Sequence, residues 1–212
     1  MRTGLRSGSS RLEARVSKTI RWQAYAPREA RWAQLGQQPA IAWLTGLPGS
    51  GKTTISDAVD RELAARGRHV CVLDGDNLRH GLCNDLGFSA ADRAENVRRT
   101  AEVARLMAEA GLVVIVSLIS PFRTDRARAR EIAGNLPFLE VYVDTSVAVC
   151  ETRDPKGLYA RARAGEISAF TGVSAPYEIP EGPDLILRTQ GLTVAASAAP
   201  LCARLMQLCA GT

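Results

Sequence analysis

Glycines, a lysine and hydroxyl side chains are spaced for one kind of chemistry at Gly46-Leu47-Pro48-Gly49-Ser50-Gly51-Lys52-Thr53. The pattern G-x-x-x-x-G-K-[ST] follows an apolar run, Ile41 to Thr45, and precedes a helical periodicity entered through Thr53 and Thr54. In that setting the backbone N–H groups of residues 49 to 53 can converge on an anion, and a helix N-terminus adds partial positive charge. Lys52 then reaches the β/γ oxygens of a nucleoside triphosphate, and the Thr53 hydroxyl can ligate Mg²⁺. A plain glycine turn would account for the glycines but not for the lysine and hydroxyl that follow them.

A second group, Asp74-Gly75-Asp76-Asn77-Leu78-Arg79, closes the next apolar run. One carboxylate there can hold Mg²⁺ through water. The other can accept a proton from an acceptor hydroxyl, and Arg79 can pair with an anionic substrate. Because phosphoryl-transfer transition states are loose, placement matters more than basicity, and a carboxylate of ordinary pKa suffices. A simple Asp-Gly turn is the alternative. A regulatory GTPase would add an Asn-Lys-x-Asp motif, which is absent after residue 53. The layout is that of a kinase for a small anionic acceptor.

These groups require a frame that brings two loops together. Apolar runs at 41–45, 69–73, 112–119, 138–143 and 184–187 alternate with helical periodicity at 53–66, 89–111, 124–133 and from about 193. Ser89-x-x-Asp92 opens the second helix as a capping box. Pro200 predicts a break in the last helix. The fold class is α/β: a P-loop NTPase-type fold with a five-stranded, mostly parallel sheet, helices on both faces, and ligands at the carboxyl ends of the strands. Residues 153–172, basic and glycine-punctuated, are expected to be a mobile lid, with a solvated helix as the alternative.

Bulk composition at first points elsewhere. The chain of 212 residues has a formal charge of +5, which invites a nucleic-acid reading. Residues 1–39, however, carry eight basic side chains against Glu13 and Glu29, leaving 19 basic against 20 acidic in 40–212. The division is therefore a basic, partly flexible N-terminal arm (1–39) and a nearly neutral catalytic domain (40–212). No nucleic-acid or membrane partner is expected, since Leu112 to Ile119 is far shorter than the ~18 apolar residues of a span. Five cysteines without a C-x-x-C pair argue against disulfides or zinc and for a reducing, cytoplasmic setting, although the Arg- and Ser-rich opening would also suit a transit peptide.

Taken together, the motifs resemble the adenylylsulfate (APS) kinase family. The resemblance rests on the loop 46–54, Leu73-Asp-Gly-Asp-Asn-Leu-Arg-His-Gly81, Asp85-Leu-Gly-Phe-Ser89, Asp92-Arg-Ala-Glu-Asn-Val-Arg-Arg99, Ile119-Ser-Pro-Phe-Arg123, Arg153-Asp-Pro-Lys-Gly-Leu-Tyr159 and Phe170-Thr-Gly172. It runs from about residue 18 to about 187. It implies transfer of the ATP γ-phosphate to the 3′-hydroxyl of APS, giving 3′-phosphoadenylyl sulfate (PAPS) and ADP. Loop residues 46–54 and Arg153 would bind ATP. Asp76, Asn77, Leu78, Arg79, Phe88, Arg93, Asn96, Ile119, Ser120, Lys156, Phe170 and Thr171 would bind APS, with Phe88 and Phe170 sandwiching its adenine.

Lys52, Asp74, Asp76 and Ser120 take the catalytic positions, and Mg²⁺ is the implied cofactor, at Thr53 and Asp74. The family serine matching Ser120 has been assigned as a phosphoserine intermediate. The residues themselves favour a ligand-contacting or turn-stabilising hydroxyl, since in-line transfer needs no relay and no base for it is evident. A homodimer is implied, and ATP sulfurylase as the separate supplier of APS. A P-loop kinase for another small anionic acceptor remains the alternative.

Overall fold

The computed structural model describes residues 25–210. Helix α1 (Arg28–Leu35) leads into β1 (Ala40–Thr45), α2 (Lys52–Ala65), β2 (Val70–Asp74), α3 (Gly75–Arg79), α4 (Ala90–Glu109) and β3 (Val113–Ser117). Then come α5 (Arg123–Ala133), β4 (Phe138–Asp144), α6 (Val147–Arg153), α7 (Leu158–Arg163), β5 (Leu185–Arg188) and α8 (Val194–Cys209). All strand pairings are parallel, in the order β2-β3-β1-β4-β5. The sheet is thus wholly parallel where a mostly parallel one was expected.

Strand alternation divides the core. In β1, Ala40, Ala42 and Leu44 face a layer made with Ile55, Val59 and Leu63 of α2 and Leu201 and Leu205 of α8. Ile41 and Trp43 face Val97, Ala101 and Ala104 of α4 and Ala129 and Ala133 of α5. Burial of each large side chain here is worth about 1.5–3 kcal/mol. Small alanines on α4 and α5 let those helices approach the sheet beside Trp43, which stacks on Phe138 with ring centroids 6.0 Å apart.

The carboxyl ends of the strands, where a doubly covered parallel sheet binds ligands, gather the phosphate loop and the residues around it. The phosphate loop leaves β1, Asp74 ends β2, Ser120 follows β3, and Thr189 follows β5.

One expectation needs revision. Pro200 does not break α8, which is continuous from Val194 to Cys209. Pro200 lies on the exposed face, where water can satisfy the carbonyl its ring leaves unbonded, while Ala198, Leu201 and Leu205 hold the helix to the core. Within residues 153–172, helix α7 forms around buried Tyr159 and Ala162. The last part of the basic arm is a docked helix: Trp32 Nε1 in α1 donates to the Glu109 carbonyl at 3.1 Å. The remainder of the arm, residues 1–24, lies outside the described residues.

Candidate active site

Gly46 closes tightly on the neighbouring strand, so that a Cβ there would sit 2.8 Å from the Val143 carbonyl oxygen and 2.9 Å from Ser50 Oγ. Gly51 has φ 105°, a conformation open to glycine, and delivers the chain into α2. No side chain caps the N-terminus of α2, and its first N–H groups therefore face the loop as anion donors. Lys52 is buried at this point and donates from Nζ to the Gly46 and Leu47 carbonyls at 2.9 and 2.8 Å. Burial pushes its pKa down to about 8, against the opposing pull of Cys150, Asp74 and Asp76.

Across the cleft, the Thr53 hydroxyl donates to Asp74 Oδ2 at 2.8 Å. The other Asp74 oxygen accepts from the Asp76 backbone N–H at 3.0 Å and caps α3. One turn therefore fixes the Asp74 carboxylate and the Asp76 backbone. Asp76 itself extends into the cleft and pairs with Lys156 from the lid segment. These hard oxygen donors suit Mg²⁺, which commonly uses one or two protein oxygens with substrate phosphates and water. Among the described residues there is no cluster of three or more His, Cys, Asp or Glu that would form a self-sufficient metal cage.

Arg79 and Arg93 form the far wall. Arg79 donates to the Leu86 and Gly87 carbonyls, and its guanidinium lies 4.3 Å from the Phe88 ring centroid. Arg93 donates to the Phe88 and Ala169 carbonyls and, at 3.1 Å, to the Thr171 hydroxyl. Neither has a carboxylate partner among the described residues. Desolvation and the neighbouring Arg79 charge push the Arg93 pKa down, as expected where two cations await an anion. Asn96 is buried beside them, with its Nδ2 lacking a protein acceptor.

A cleft of about 620 Å³ joins these walls. It is lined by Pro48, Gly49, Gly51, Lys52, Thr53 and Thr54 of the phosphate loop and by Asp74, Asp76, Arg79, Phe88, Arg93, Asn96, Ile119, Ser120, Arg153 and Lys156 of the expected set. Gly46, Leu47 and Ser50 support it through Lys52 and Arg153, and Leu78 packs against the core, whereas Asn77 is exposed and does not line it. Thr171 supports it through Arg93.

Phe170 departs from expectation. Its ring is buried in an apolar cluster with Leu47, Cys150, Tyr159 and Ala162, edge-on to Tyr159 at 5.0 Å, and does not line the cleft, whereas Phe88 is 63% exposed at its wall. The structure thus offers one aromatic face, occupied by Arg79, rather than a ready slot between two rings.

Ser120 Oγ accepts from Trp43 Nε1 at 3.2 Å, and no histidine or carboxylate contacts it among the described residues. Sequence reasoning missed Thr189, Leu192, Val194 and Ser197, which form the end of the cleft next to Arg153. Arg153 ties this wall to the phosphate loop by donating to the Ser50 carbonyl at 3.2 Å and to Thr189 Oγ1 at 2.9 Å.

The sequence pattern of adenylylsulphate kinases matches residues 38–188. The chain belongs to the adenylylsulphate kinase family. It is 53% identical over 178 residues to the adenylyl-sulfate kinase of Aeromonas hydrophila subsp. hydrophila, covering 84% of this chain and 90% of that one. It is 57% identical over 176 residues to the bifunctional enzyme NodQ of Rhizobium sp. (strain BR816), covering 82% of this chain but only 28% of that larger protein. The Mycobacterium tuberculosis APS kinase CysC, solved with AMPPNP and APS, superposes with a TM-score of 0.77 at 48% identity, covering 80% of this chain and 98% of that one. For this adenylylsulphate kinase family member the match ends at Arg188, so the wall from Thr189 to Ser197 lies just beyond it.

Proposed function

We propose that this chain transfers the γ-phosphoryl group of ATP to the 3′-hydroxyl of APS, forming PAPS and ADP. The observation that carries the reading is the pair Arg79 and Arg93, held without carboxylate partners on the wall opposite the phosphate loop. In this family, an acceptor that brings its own phosphosulfate anion would complete that wall.

The loop N–H groups and Lys52 bind the triphosphate and stabilise charge on the migrating group. The acceptor 3′-oxygen attacks Pγ, the bond from Pγ to the β,γ-bridging oxygen breaks with its electron pair going to ADP, and the hydroxyl proton passes to Asp76. Lys156, which pairs with Asp76, has the sulfate or phosphate of the acceptor as a competing anion. Thr53 and Asp74 would hold Mg²⁺, which when bound supplies charge neutralisation at the phosphates. The Ser120 hydroxyl is a turn-forming and ligand-contacting group, with Trp43 directed at its lone pair. Residues 153–172 act as a lid over both nucleotides, which would exclude water from the transfer.

A cytoplasmic setting is part of this proposal, supported by five cysteines without a C-x-x-C pair, and among the described residues no helix is long and apolar enough to cross a membrane. ATP sulfurylase chemistry elsewhere would supply APS, and a homodimer is the proposed assembly, checked by sedimentation equilibrium. ADP release is measured with APS, AMP, gluconate or no acceptor. Release strictly dependent on APS is expected, and equal release without it would overturn the reading.

A further inference from the structure

Behind the cleft lies a buried polar assembly that the reaction does not touch. Arg126 of α5 is 2% exposed, and each end of its guanidinium meets a different segment. Nε donates to Glu140 Oε1 of β4 at 2.6 Å, Nη1 to the Ser120 carbonyl at 2.7 Å, and Nη2 to the Glu178 carbonyl at 2.8 Å. The same turn is held from β1. Thr45 Oγ1 donates to the Ile119 carbonyl at 2.7 Å, which leaves its lone pairs for the Tyr177 hydroxyl 3.0 Å away. The Tyr177 ring lies 5.9 Å from the Arg126 guanidinium, and the Glu178 backbone N–H donates to the Pro121 carbonyl at 2.9 Å.

The held segment is strained. Ser120 has φ 37°, a left-handed conformation that is unfavourable for a non-glycine residue and persists only where surroundings over-determine it. Ile119, Ser120 and Pro121 line the cleft, whereas Arg126, Glu140, Thr45 and Tyr177 do not.

We infer that Arg126, with Tyr177, is a positioning residue that clamps the Ile119–Pro121 turn in its strained form and so sets the acceptor side of the cleft. Burial of an arginine for stability alone is a weak explanation, because a buried ion pair often does no better than apolar packing. A planar fork that fixes three segments at once gives geometry that a lysine cannot reproduce. Strain at Ser120 is what the fork sustains: without it the turn relaxes toward ordinary φ, and the Ile119 and Ser120 groups withdraw from their places on the wall. This inference rests on the APS kinase reading for its kinetic readout.

The test uses the full chain with Arg126→Lys, Tyr177→Phe, Ser120→Gly, and the Arg126→Lys, Ser120→Gly double variant. Arg126→Lys should raise KM for APS about tenfold or more while KM for ATP changes less than about twofold, and Tyr177→Phe should shift it the same way by less. Glycine adopts φ 37° without strain, so in the Ser120→Gly background the Arg126→Lys effect on KM for APS should shrink to less than about threefold. An equal rise in both KM values, or an undiminished effect in that background, overturns the clamp. Should Arg126→Lys not fold, Tyr177→Phe and its combination with Ser120→Gly decide the same point.

Failure of the APS kinase reading would show separately, as wild-type protein with no APS-dependent ADP release. Amide hydrogen exchange then tests the clamp. Tyr177→Phe should speed exchange at residues 118–122 while β1 stays protected, and unchanged exchange there refutes it.

Discussion

The Thr53 hydroxyl and the Asp74 carboxylate meet at 2.8 Å across the mouth of the phosphate loop. This contact joins the first turn of α2 to the end of β2, and it presents the two groups suited to one hydrated Mg²⁺ side by side. Thr53→Val and Asp74→Asn are the informative variants, because asparagine retains the cap that Asp74 supplies to α3, whereas alanine would lose it at about 1 kcal/mol. Each should lower turnover about a hundredfold and raise the Mg²⁺ concentration needed for half-maximal rate. Thermal stability should change little, since Thr53 is exposed. A wild-type Mg²⁺ titration curve in both variants would refute the assignment.

Lys52 gives a pH dependence whose sign follows from its burial. Its pKa is lowered from 10.5 to about 8. Between those values the unfolded chain binds a proton that the folded chain has released, so the stability contribution of this residue rises with pH in that window. The cation that receives phosphate is lost over the same window. ADP affinity should therefore fall more than about tenfold between pH 7.5 and 9.5, and Lys52→Arg, whose guanidinium stays charged, should abolish that slope. Isothermal titration at the two pH values checks both.

Arg93 lies on the cleft wall and also contacts Ala169 and Thr171. Arg93→Ala should raise KM for APS by about ten- to a hundredfold, the range of a charge-assisted hydrogen bond, with a much smaller effect on KM for ATP. It also removes the bonds to Thr171 and the Ala169 carbonyl, so protease cleavage within 153–172 should accelerate. Steady-state kinetics with each substrate varied in turn and limited proteolysis report the two effects independently.

Lys156 and Asp76 pair across the cleft while both side chains remain more than half exposed. Solvent screening leaves such a pair worth no more than about 1 kcal/mol. Lys156→Ala should accordingly leave the unfolding midpoint in urea nearly unchanged and still weaken APS binding, whereas a stability loss above about 2 kcal/mol would show the pair to be structural.

What could be read in the sequence was what adjacent residues decide. The loop from Gly46 to Thr54, the two carboxylates of the β2 turn and Arg79 are specified by local spacing, whereas Arg93 came only with the family resemblance, and all except the supporting Gly46, Leu47 and Ser50 line the cleft. Tertiary context decided the rest. The ring of Phe170 is drawn into an apolar cluster by Tyr159 and Leu47, and Pro200 is tolerated because its side of α8 faces water. Arg126 looked like one of several arginines in a polar helix, and only the return of residues 177–178 to the end of β3 makes its fork meaningful. The wall from Thr189 to Ser197 has no motif, since it contributes shape and a backbone.

Helix α1 is the clearest case of structure hidden from periodicity, because none of its residues is fully buried. It is held at Gly111, whose φ of 105° and closeness to Leu35 leave no room for a side chain: a Cβ would lie 2.6 Å from Leu35 Cδ1 and 3.2 Å from Trp32 Cδ1. Gly111→Ala should therefore destabilise the protein by about 2–4 kcal/mol, combining backbone strain with displacement of α1. Leu35→Ala removes the closest of the clashing atoms, so the double variant should recover part of that loss, with a coupling of about 1 kcal/mol or more in a urea-unfolding cycle. None of these positions lines the cleft, and the kinetic constants of the folded variants should remain those of wild type. Strict additivity would mean that α1 is not packed on Gly111 in solution.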